Sequence, residues 1–445
     1  MENIKKECEI NKENLGIFEN MEDAIEASYI AQKEFSKYNN KAKSKIINAF
    51  KKELLKHVEE ISKMAFEETG MGRYEDKILK NKLALTKTPG VEDLKAGIIT
   101  GDEGVTTLEM VPFGVIGAIA PSTNPTETII NNGISMLSAG NTVVFSPHPG
   151  AKNVSGYTIQ IINKAIKEAN GPENLITTVS EPSIEKTNIL LSHPKVGMIC
   201  VTGGPAIVKI GLSSGKKTVG AGAGNPPVLV DETADIEKAA KDIVSGCSFD
   251  NNLPCIAEKE IIVVDEVADE LKKYMSQNNA LEIKDELVIK KLENLVINKD
   301  GGVNKKFVGK NADYIMKQIG IDIDPSIRVI FAEVDRDHSF AVEELMMPII
   351  PVIRVKDVEE GIMLGKELEH GNRHTAIMHS KNIDNLTKFE REVGTTIFVK
   401  NAPSYAGIGY GAEGFATFTI AGPTGEGLTS AKTFTRKRRL VLAGA

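Results

Sequence analysis

The sequence predicts an α/β protein built from two doubly wound lobes. Short apolar strands alternate with helical segments from residue 115 to residue 213, and the same alternation begins again near residue 226. Continuous apolar strands that are separated by helices are typical of parallel sheets covered on both faces. Two consecutive blocks of this kind predict two lobes with a cleft between them, and open sheets of this class bind ligands beyond the carboxyl ends of their strands.

The first third of the chain is predicted to be helical before this alternation starts. Apolar side chains recur at helical spacing across residues 41–68, and Gly70 marks the expected end of that helical region. A strand at 104–110 follows. The first α/β block is then predicted to contain strand 115–120, helix 126–137, strand 142–145, helix 151–169, strand 175–179, helix 183–192, strand 196–201 and helix 205–213.

The second block repeats the pattern over the C-terminal half. Its predicted elements are strand 226–230, helix 235–246, strand 260–264, helix 266–276, strand 327–334, strand 350–355, helix 357–368, helix 383–393 and strand 395–399. The lysine-rich residues 280–310 interrupt the alternation, and we interpret them as surface elaboration.

Composition excludes several classes of protein. The 445 residues are 41% hydrophobic and 26% charged, which is typical of a folded globular chain. A net charge of −7 argues against nucleic acid as a partner, and we interpret the basic run 436–439 as a solvated or interface strand. No stretch approaches the ~20 apolar residues of a membrane span, and residues 1–15 lack the apolar core of a secretory signal. We therefore expect a cytoplasmic protein without membrane association.

Cys255 is the candidate nucleophile among four cysteines that form no CxxC pair. It lies in the polar, turn-rich segment 248–260, directly after Pro254, where a thiol can be approached and ionised. The alternative is a small buried hydrophobe, which is the commoner role of a free cysteine. Cys200 lies in an apolar strand, and Cys8 lies in the polar N-terminus.

Three further segments place polar or small residues where a ligand would bind. Asn124, in the segment 121–128 after the first apolar strand, is either a helix cap or an amide donor for a developing oxyanion. The segment 201–204 (VTGG) opens a helix, so it is either a tight turn or a pyrophosphate site. Glu344, before the apolar run 345–352, is either solvated or a ribose ligand.

Familiar nucleotide and metal motifs are absent from the sequence. The segment 211–218 (GLSSGKKT) has the wrong glycine spacing for a P-loop, and 220–224 (GAGAG) lacks the spacing of a dinucleotide fingerprint. None of the seven histidines belongs to a zinc motif, so we predict no catalytic metal. We interpret His374 and Glu258 as structural.

Taken together and in this order, these segments resemble the aldehyde dehydrogenase superfamily from about residue 20 to the end of the chain. The CoA-acylating branch, and within it the butyraldehyde and propionaldehyde dehydrogenases of anaerobic bacteria, is most similar. The segments that carry this resemblance are STNPTET (122–128), VVFSPHPGAK (143–152), GAGAGNPPVLVD (220–231), SFDNNLPCIAEKE (248–260) and FTIAGPTGEGLTSA (418–431).

The resemblance implies a fold, a reaction and a set of roles. The fold would be aldehyde dehydrogenase-like, and the reaction would convert a short-chain (C3–C4) aldehyde, CoA and NAD+ to acyl-CoA and NADH through a thioacyl-enzyme on Cys255. Asn124 and the backbone N–H of Cys255 would form the oxyanion hole. The cofactor-binding residues would be Ser122, Thr123, Ser146, Pro147, His148, Thr202, Gly203, Gly204, Gly220, Gly222 and Glu344.

Two positions depart from the hydrolytic members of the family. Gly220 falls where those enzymes carry the glutamate that activates water, so we expect thiolysis by CoA in place of hydrolysis. Missing side chains in the glycine-rich segment would also leave room for a bulky thiol. Ser146 replaces the lysine that usually contacts the adenosine ribose, which leaves NADP as the alternative to NAD.

The resemblance also implies a domain division and partners. Residues 1–100 and 115–222 would form a cofactor-binding domain, residues 223–415 a catalytic domain, and residues 101–114 and 416–445 an oligomerisation element of a homodimer or homotetramer. An alcohol dehydrogenase and a bacterial microcompartment shell are the expected protein partners. The competing interpretations are a hydrolytic aldehyde dehydrogenase, a reductase of acyl phosphates, and a non-catalytic scaffold with the same fold.

Overall fold

The computed structural model describes residues 14–299 and 301–444, and it confirms the α/β fold class. Cys8 and the first 13 residues lie outside the described residues. The strands, numbered in chain order, are β1 (Ile17–Phe18), β2 (Gly97–Gly101), β3 (Gly104–Pro112), β4 (Val115–Ala120), β5 (Thr142–Pro147), β6 (Ile176–Val179), β7 (Val196–Thr202), β8 (Lys217–Ala221), β9 (Pro227–Val230), β10 (Glu260–Val264), β11 (Ala280–Glu282), β12 (Val329–Glu333), β13 (Ile349–Val355), β14 (Thr375–His379), β15 (Ile397–Lys400), β16 (Ile420–Ala421), β17 (Gly427–Leu428) and β18 (Thr435–Ala443).

Fifteen α-helices are found in the same two ranges. They are α1 (Met21–Phe35), α2 (Asn40–Lys56), α3 (Val58–Thr69), α4 (Tyr74–Lys87), α5 (Pro125–Ser138), α6 (Lys152–Glu168), α7 (Ile184–Ser192), α8 (Pro205–Leu212), α9 (Ile236–Ser248), α10 (Asp265–Gln277), α11 (Glu286–Val296), α12 (Ala312–Gln318), α13 (Ser339–Val342), α14 (Val358–Leu368) and α15 (Ile383–Val393). None of the helices described is long and apolar enough to cross a bilayer.

The first large sheet has six parallel strands in the order β1-β6-β5-β4-β7-β8. Every residue of β4 and β5 is buried, as the continuous apolar runs predict for strands that are covered on both faces. The chain runs from β4 towards β6 on one side and from β7 to β8 on the other. The strand order therefore reverses between β4 and β7, which is the point where doubly wound sheets form a ligand crevice.

The second large sheet has seven parallel strands in the order β11-β12-β13-β10-β9-β14-β15. It has its own core, to which β9, β10 and β13 contribute a dense set of buried aliphatic side chains. The segment 249–259, which carries Cys255, connects α9 to β10 in this half of the molecule.

A third, antiparallel sheet has the order β18-β3-β2. It contains the predicted strand at 104–110 and also β2, which the sequence analysis missed. The basic run 436–439 lies in β18, where Arg438 donates a hydrogen bond of 2.6 Å to Glu109 on β3. The run is exposed in this strand, as expected of a solvated or interface strand.

The structure corrects two local predictions. The helical region 41–68 is divided at His57, whose backbone (φ −103°, ψ 7°) separates α2 from α3, and Gly70 ends α3 in the left-handed conformation as expected. Residues 280–310 are not mere surface elaboration, because α11 contributes Leu292 and Val296 to a separate small core that also contains Phe307. The sequence did not predict this core because polar residues surround these three apolar positions.

Candidate active site

A cavity of about 460 Å³ opens where the strand order of the first sheet reverses. Residues from both halves of the chain line it, including the segment 418–420 near the C-terminus. All of the predicted site residues except Gly220 are found in its wall. These are Ser122, Thr123, Asn124, Ser146, Pro147, His148, Thr202, Gly203, Gly204, Gly222, Cys255 and Glu344.

Gly220 is the predicted site residue that the structure does not bring to the cavity. It is buried in β8, and its N–H donates a hydrogen bond of 3.1 Å to the hydroxyl of Thr424. A Cβ atom at this position would lie 2.8 Å from Val208 Cγ1 and 3.4 Å from Thr424 Cγ2. The room expected for a bulky thiol is therefore not found at residue 220. Gly222 does border the cavity, and there a Cβ atom would meet only Pro423, at 3.5 Å.

Cys255 follows an unusual turn. Asp250, Asn251 and Asn252 all have positive φ angles, of 48°, 54° and 65°. Such residues cost ~1–3 kcal/mol each and persist only where surrounding contacts hold them. The Asn252 side chain supplies two such contacts, because its Nδ2 donates to the carbonyl oxygens of Cys247 (3.1 Å) and Glu258 (2.9 Å). The turn thus displays Cys255 at the cavity wall instead of in the core.

Of the three described cysteines, only Cys255 is partly exposed. The pKa of its thiol is raised to about 12, because burial and the negative charge of Glu344 raise it more than the positive charge of Lys259 lowers it. Cys200 is fully buried in β7, as predicted, and burial raises the pKa of its thiol to about 12 as well. Cys247 is also fully buried. Exposure to the cavity therefore distinguishes Cys255 as the thiol that a substrate can reach.

Lys259 is a buried cation near the Cys255 thiol. The sequence patterns did not predict this lysine. Its side chain is almost fully inaccessible, and its Nζ donates a hydrogen bond of 3.0 Å to the backbone oxygen of Asn252. Burial lowers the pKa of this ammonium, whereas Glu344 and the cysteines raise it. Nothing in the local sequence distinguishes this lysine, because its position depends on the left-handed turn at residues 250–252, where its Nζ contacts Asn252.

The Asn124 side chain does not cap the helix that follows it. Asn124 occupies the N-cap position of α5, but its side chain forms no capping hydrogen bond. Its Oδ1 instead accepts a hydrogen bond of 2.7 Å from Lys80 Nζ, and its Nδ2 lies 3.3 Å from Thr123 Oγ1. Because the side chain borders the cavity and is not used as a cap, the geometry favours a donor for a substrate oxygen.

Glu344 and His374 complete the wall around Cys255. Burial raises the pKa of Glu344 to about 7, while Lys259 and the N–H of Gly224 lower it. Burial also lowers the pKa of His374 to about 4, so this imidazole is neutral at neutral pH. Its Nδ1 lies 2.9 Å from Thr375 Oγ1. We expected a structural role for His374, but it lies at the cavity wall, where a neutral imidazole can accept a proton.

Glu258, by contrast, does not border the cavity. The backbone N–H and the hydroxyl of Ser404 donate hydrogen bonds of 2.8 Å and 2.7 Å to its carboxylate. Burial raises the pKa of Glu258 to about 7. These contacts join the Cys255 segment to residue 404, in agreement with a structural role.

The far end of the cavity suits a dinucleotide. Gly204 precedes α8, and a Cβ atom built there would meet nothing within 4 Å, so the backbone at the helix N-terminus is open to a phosphate. Ser146 lies at the end of β5, where its hydroxyl is 2.8 Å from that of Thr187. His148 is exposed, and its Nδ1 accepts a hydrogen bond from the N–H of Gly150. Over the ranges described, no group of three or more His, Cys, Asp or Glu side chains has the arrangement of a metal site.

Known proteins are similar to this chain over most of its length. Residues 7–299 match the aldehyde dehydrogenase family. The chain is 50% identical to a propanal dehydrogenase (CoA-propanoylating) of Citrobacter freundii, over 96% of this chain and 92% of that protein. The crystal structure of Rhodopseudomonas palustris propionaldehyde dehydrogenase with bound CoA and an acylated cysteine is similar, with a TM-score of 0.95 and 55% identity over 96% of this chain and 98% of that one. An engineered glycolyl-CoA reductase with bound NADP+ gives a TM-score of 0.95 and 54% identity, again over 96% and 98% of the two chains.

Proposed function

Because the chain belongs to the aldehyde dehydrogenase family, we propose that it is a CoA-acylating, NAD-dependent member that interconverts a short-chain aldehyde and its acyl-CoA thioester. The observation that carries this proposal is the composition of the wall around Cys255. Glu344 is the only carboxylate among the described residues of that wall, and it accepts the N–H of Gly224. The position that supplies the water-activating glutamate in hydrolytic relatives is Gly220, which does not reach the cavity.

The first half of the reaction uses Cys255 and Asn124. The thiolate of Cys255 attacks the aldehyde carbon and forms a thiohemiacetal. The amide of Asn124 and the backbone N–H of Cys255 donate hydrogen bonds to the oxygen on which negative charge develops, and such donors are worth about 10²–10³ in rate. When bound, the dinucleotide supplies the hydride acceptor. The product of this half is a thioacyl-enzyme on Cys255.

The second half transfers the acyl group to CoA. The neutral His374 accepts the thiol proton of CoA. A weaker base is sufficient for this step than for the deprotonation of water, because a thiol is much more acidic than water. The CoA sulfur then attacks the thioacyl carbon, and Cys255 leaves as a thiolate. Lys259 stabilises that leaving thiolate through its positive charge.

The residues present fit a dinucleotide at the other end of the cavity. Thr202, Gly203 and Gly204 would lie against its phosphates, and Glu344 would bind the nicotinamide ribose. Ser122, Thr123 and Gly222 line the same cavity and would also contact the dinucleotide. Ser146, Pro147 and His148 would surround the adenosine, where serine in place of lysine keeps NADP as the alternative to NAD.

The domain division and the assembly are further parts of this proposal. Residues 1–100 and 115–222 would bind the dinucleotide, residues 223–415 would carry the nucleophile, and residues 101–114 and 416–445 would join subunits. Support for an oligomer comes from the exposed apolar side chains of the antiparallel sheet, such as Ile98 on β2 and Leu442 on β18, which are 70% and 66% exposed. Association with an alcohol dehydrogenase or a microcompartment shell, and the cytoplasmic location, stay predictions.

Trapping the acyl-enzyme tests the proposed reaction. The protein is incubated with propanal and NAD+ without CoA, and the intact mass and the peptides are measured. We expect one propanoyl group on Cys255, its release as propanoyl-CoA when CoA is added, and no label in the Cys255→Ala variant. A group attached elsewhere, or release that CoA does not accelerate, would contradict the proposal.

A further inference from the structure

A buried cluster of four charged side chains lies behind Asn124. Lys77 and Lys80 are three residues apart in α4 and therefore point to the same side of that helix. Lys80 Nζ lies 2.6 Å from Asp250 Oδ2 and 3.1 Å from Glu127 Oε1, and Lys77 Nζ lies 3.2 Å from Asp250 Oδ2. All four side chains are essentially inaccessible to solvent. The two positive and two negative charges balance, as burial requires.

Lys80 is the member of this cluster that contacts Asn124. An ammonium group can only donate hydrogen bonds, so the atom of the Asn124 amide that faces it at 2.7 Å must be the acceptor Oδ1. The Nδ2 group then faces away from Lys80, on the side of Thr123. Lys80 therefore sets which way the amide is turned. With the opposite orientation, an oxygen instead of a donor would face the substrate.

The same ammonium also holds the turn that precedes Cys255. Asp250 is the first of the three residues with positive φ, and its carboxylate accepts from Lys80, from Lys77 and from the backbone N–H of Arg73 at 2.6 Å. The Lys80 ammonium thus contacts both Asn124, the proposed oxyanion donor, and Asp250, in the turn that precedes Cys255. These two elements come from different halves of the chain.

Lys80 could balance the charges of Asp250 and Glu127 without contacting Asn124. Lys77 shares Asp250 without contacting Asn124, and Glu127 also accepts a hydrogen bond from the hydroxyl of Thr126 at 3.1 Å. Burial would lower the pKa of the Lys80 ammonium, but Asp250 and Glu127 outweigh it and raise that pKa, so Lys80 remains a charged donor.

We propose that Lys80 is a positioning residue. It turns the Asn124 amide so that the N–H not donated to Thr123 faces the aldehyde oxygen, and it fixes that amide relative to the Cys255 turn. The proposal rests on the proposed function, because it assigns to Asn124 the oxyanion of that reaction. Lys80 itself does not contact the substrate. Its loss should lower the rate of the chemical step and leave substrate binding largely unchanged.

A pair of charge-balanced variants tests this role. K80M/E127Q removes one cation and one anion and eliminates the contact with Asn124. K77M/E127Q removes the same charges and leaves Lys80 beside Asn124 and Asp250. The rate of NADH formation in the first turnover with propanal and NAD+, before any CoA is added, reports on the step that uses the oxyanion hole. Iodoacetamide labelling of Cys255 and circular dichroism report on the turn and the fold.

We expect K80M/E127Q to form NADH about 10- to 100-fold more slowly than the wild type, while the propanal concentration that gives the half-maximal first-turnover rate changes less than about threefold. K77M/E127Q should lose less than about threefold. In an Asn124→Ala background, K80M/E127Q should cause no further loss, since the group it positions is gone. Equal losses in both variants, or losses that multiply with that of Asn124→Ala, would overturn the proposal.

Three further outcomes remain decisive. If K80M/E127Q does not fold, a crystal structure of the acylated wild-type enzyme replaces it: a hydrogen bond between Lys80 Nζ and Asn124 Oδ1 supports the proposal, and an amide turned away from Lys80 overturns it. Because the first turnover needs no CoA, a wild type that forms NADH but never acyl-CoA refutes the proposed function without affecting the result for Lys80. A wild type that forms no NADH refutes both.

Discussion

Introducing a carboxylate at position 220 tests why the acyl group would pass to a thiol and not to water. The change is Gly220→Glu, made alone and together with Val208→Ala. A Cβ atom at residue 220 would lie 2.8 Å from Val208 Cγ1, whereas carbon atoms in contact prefer about 3.5–4.0 Å. The single variant is therefore overpacked, at a cost of ~1–3 kcal/mol in the free energy of unfolding. Removing both γ carbons of Val208 relieves that contact.

We expect the single variant to have a lower thermal midpoint and to remain dependent on CoA, because the new carboxylate cannot reach the cavity. The double variant should regain part of the lost stability. If its carboxylate reaches the thioacyl group, release of propanoate without CoA should rise by about 10²–10⁴-fold, the range that a general base contributes. The assay follows NADH and propanoate with CoA omitted, and Val208→Ala alone is the control for stability.

Two results would refute this reasoning. A Gly220→Glu variant that is as stable as the wild type and hydrolytic would show that Val208 does not restrain the position. A well-folded double variant with no gain in hydrolysis would show that the glycine is not what prevents attack by water.

Three other predictions follow from the site. Asn124→Asp keeps an acceptor for Lys80 but removes the donor, so kcat should fall by about 10²–10³-fold while iodoacetamide labelling of Cys255 stays within about threefold of the wild type; an equal loss of labelling would instead indicate a disturbed turn. Because the pKa of Cys255 is raised to about 12, its labelling rate in the ligand-free protein should rise about tenfold per pH unit from pH 7 to 9, and a plateau near the ordinary thiol pKa of ~8.5 would contradict this. Burial lowers the pKa values of His374 and His379 to about 4 and about 3, so their neutral forms contribute stability that is fully present above the unfolded value of ~6.5 and is lost as the pH falls towards 4. Because Glu258 and Glu344, whose pKa values are raised to about 7, affect stability in the opposite direction over the same pH range, the measurement is an NMR titration of the two imidazoles, and titration of either one near pH ~6.5 would contradict the prediction.

Much of the fold could be predicted from the alternation of apolar strands and helices. The strand Glu260–Val264 and the helix Ile383–Val393 have the predicted bounds, since each combines a strong period with clear ends. Strand β8 was missed because glycine interrupts its apolar residues, and strand β14 was missed because polar residues on both sides leave it only three apolar residues. The small core around α11 was missed because lysines dominate its sequence and only the packing brings Leu292 and Phe307 together.

The candidate site was predictable where function depends on residues next to a strand end. Asn124 lies shortly after the end of β4, and Thr202 is the last residue of β7. The parallel sheet brings these two strand ends to the same edge. Lys80 and Lys259 were not predictable in this way. Lys80 reaches the site from a helix 44 residues before Asn124, and Lys259 reaches it through the left-handed turn that starts at Asp250. No local sequence pattern predicts that Lys80 or Lys259 lies near the site.

The dependence of turnover on CoA tests the central claim most directly. NADH formation from propanal and NAD+ is followed with the purified protein, with CoA supplied and then omitted, and the product is identified by mass. Steady turnover that requires CoA and yields propanoyl-CoA, with a single turnover when CoA is absent, is the result that the account predicts. Equal turnover without CoA, with propanoate as the product, would contradict it and would mean that another group, such as Glu344, activates water.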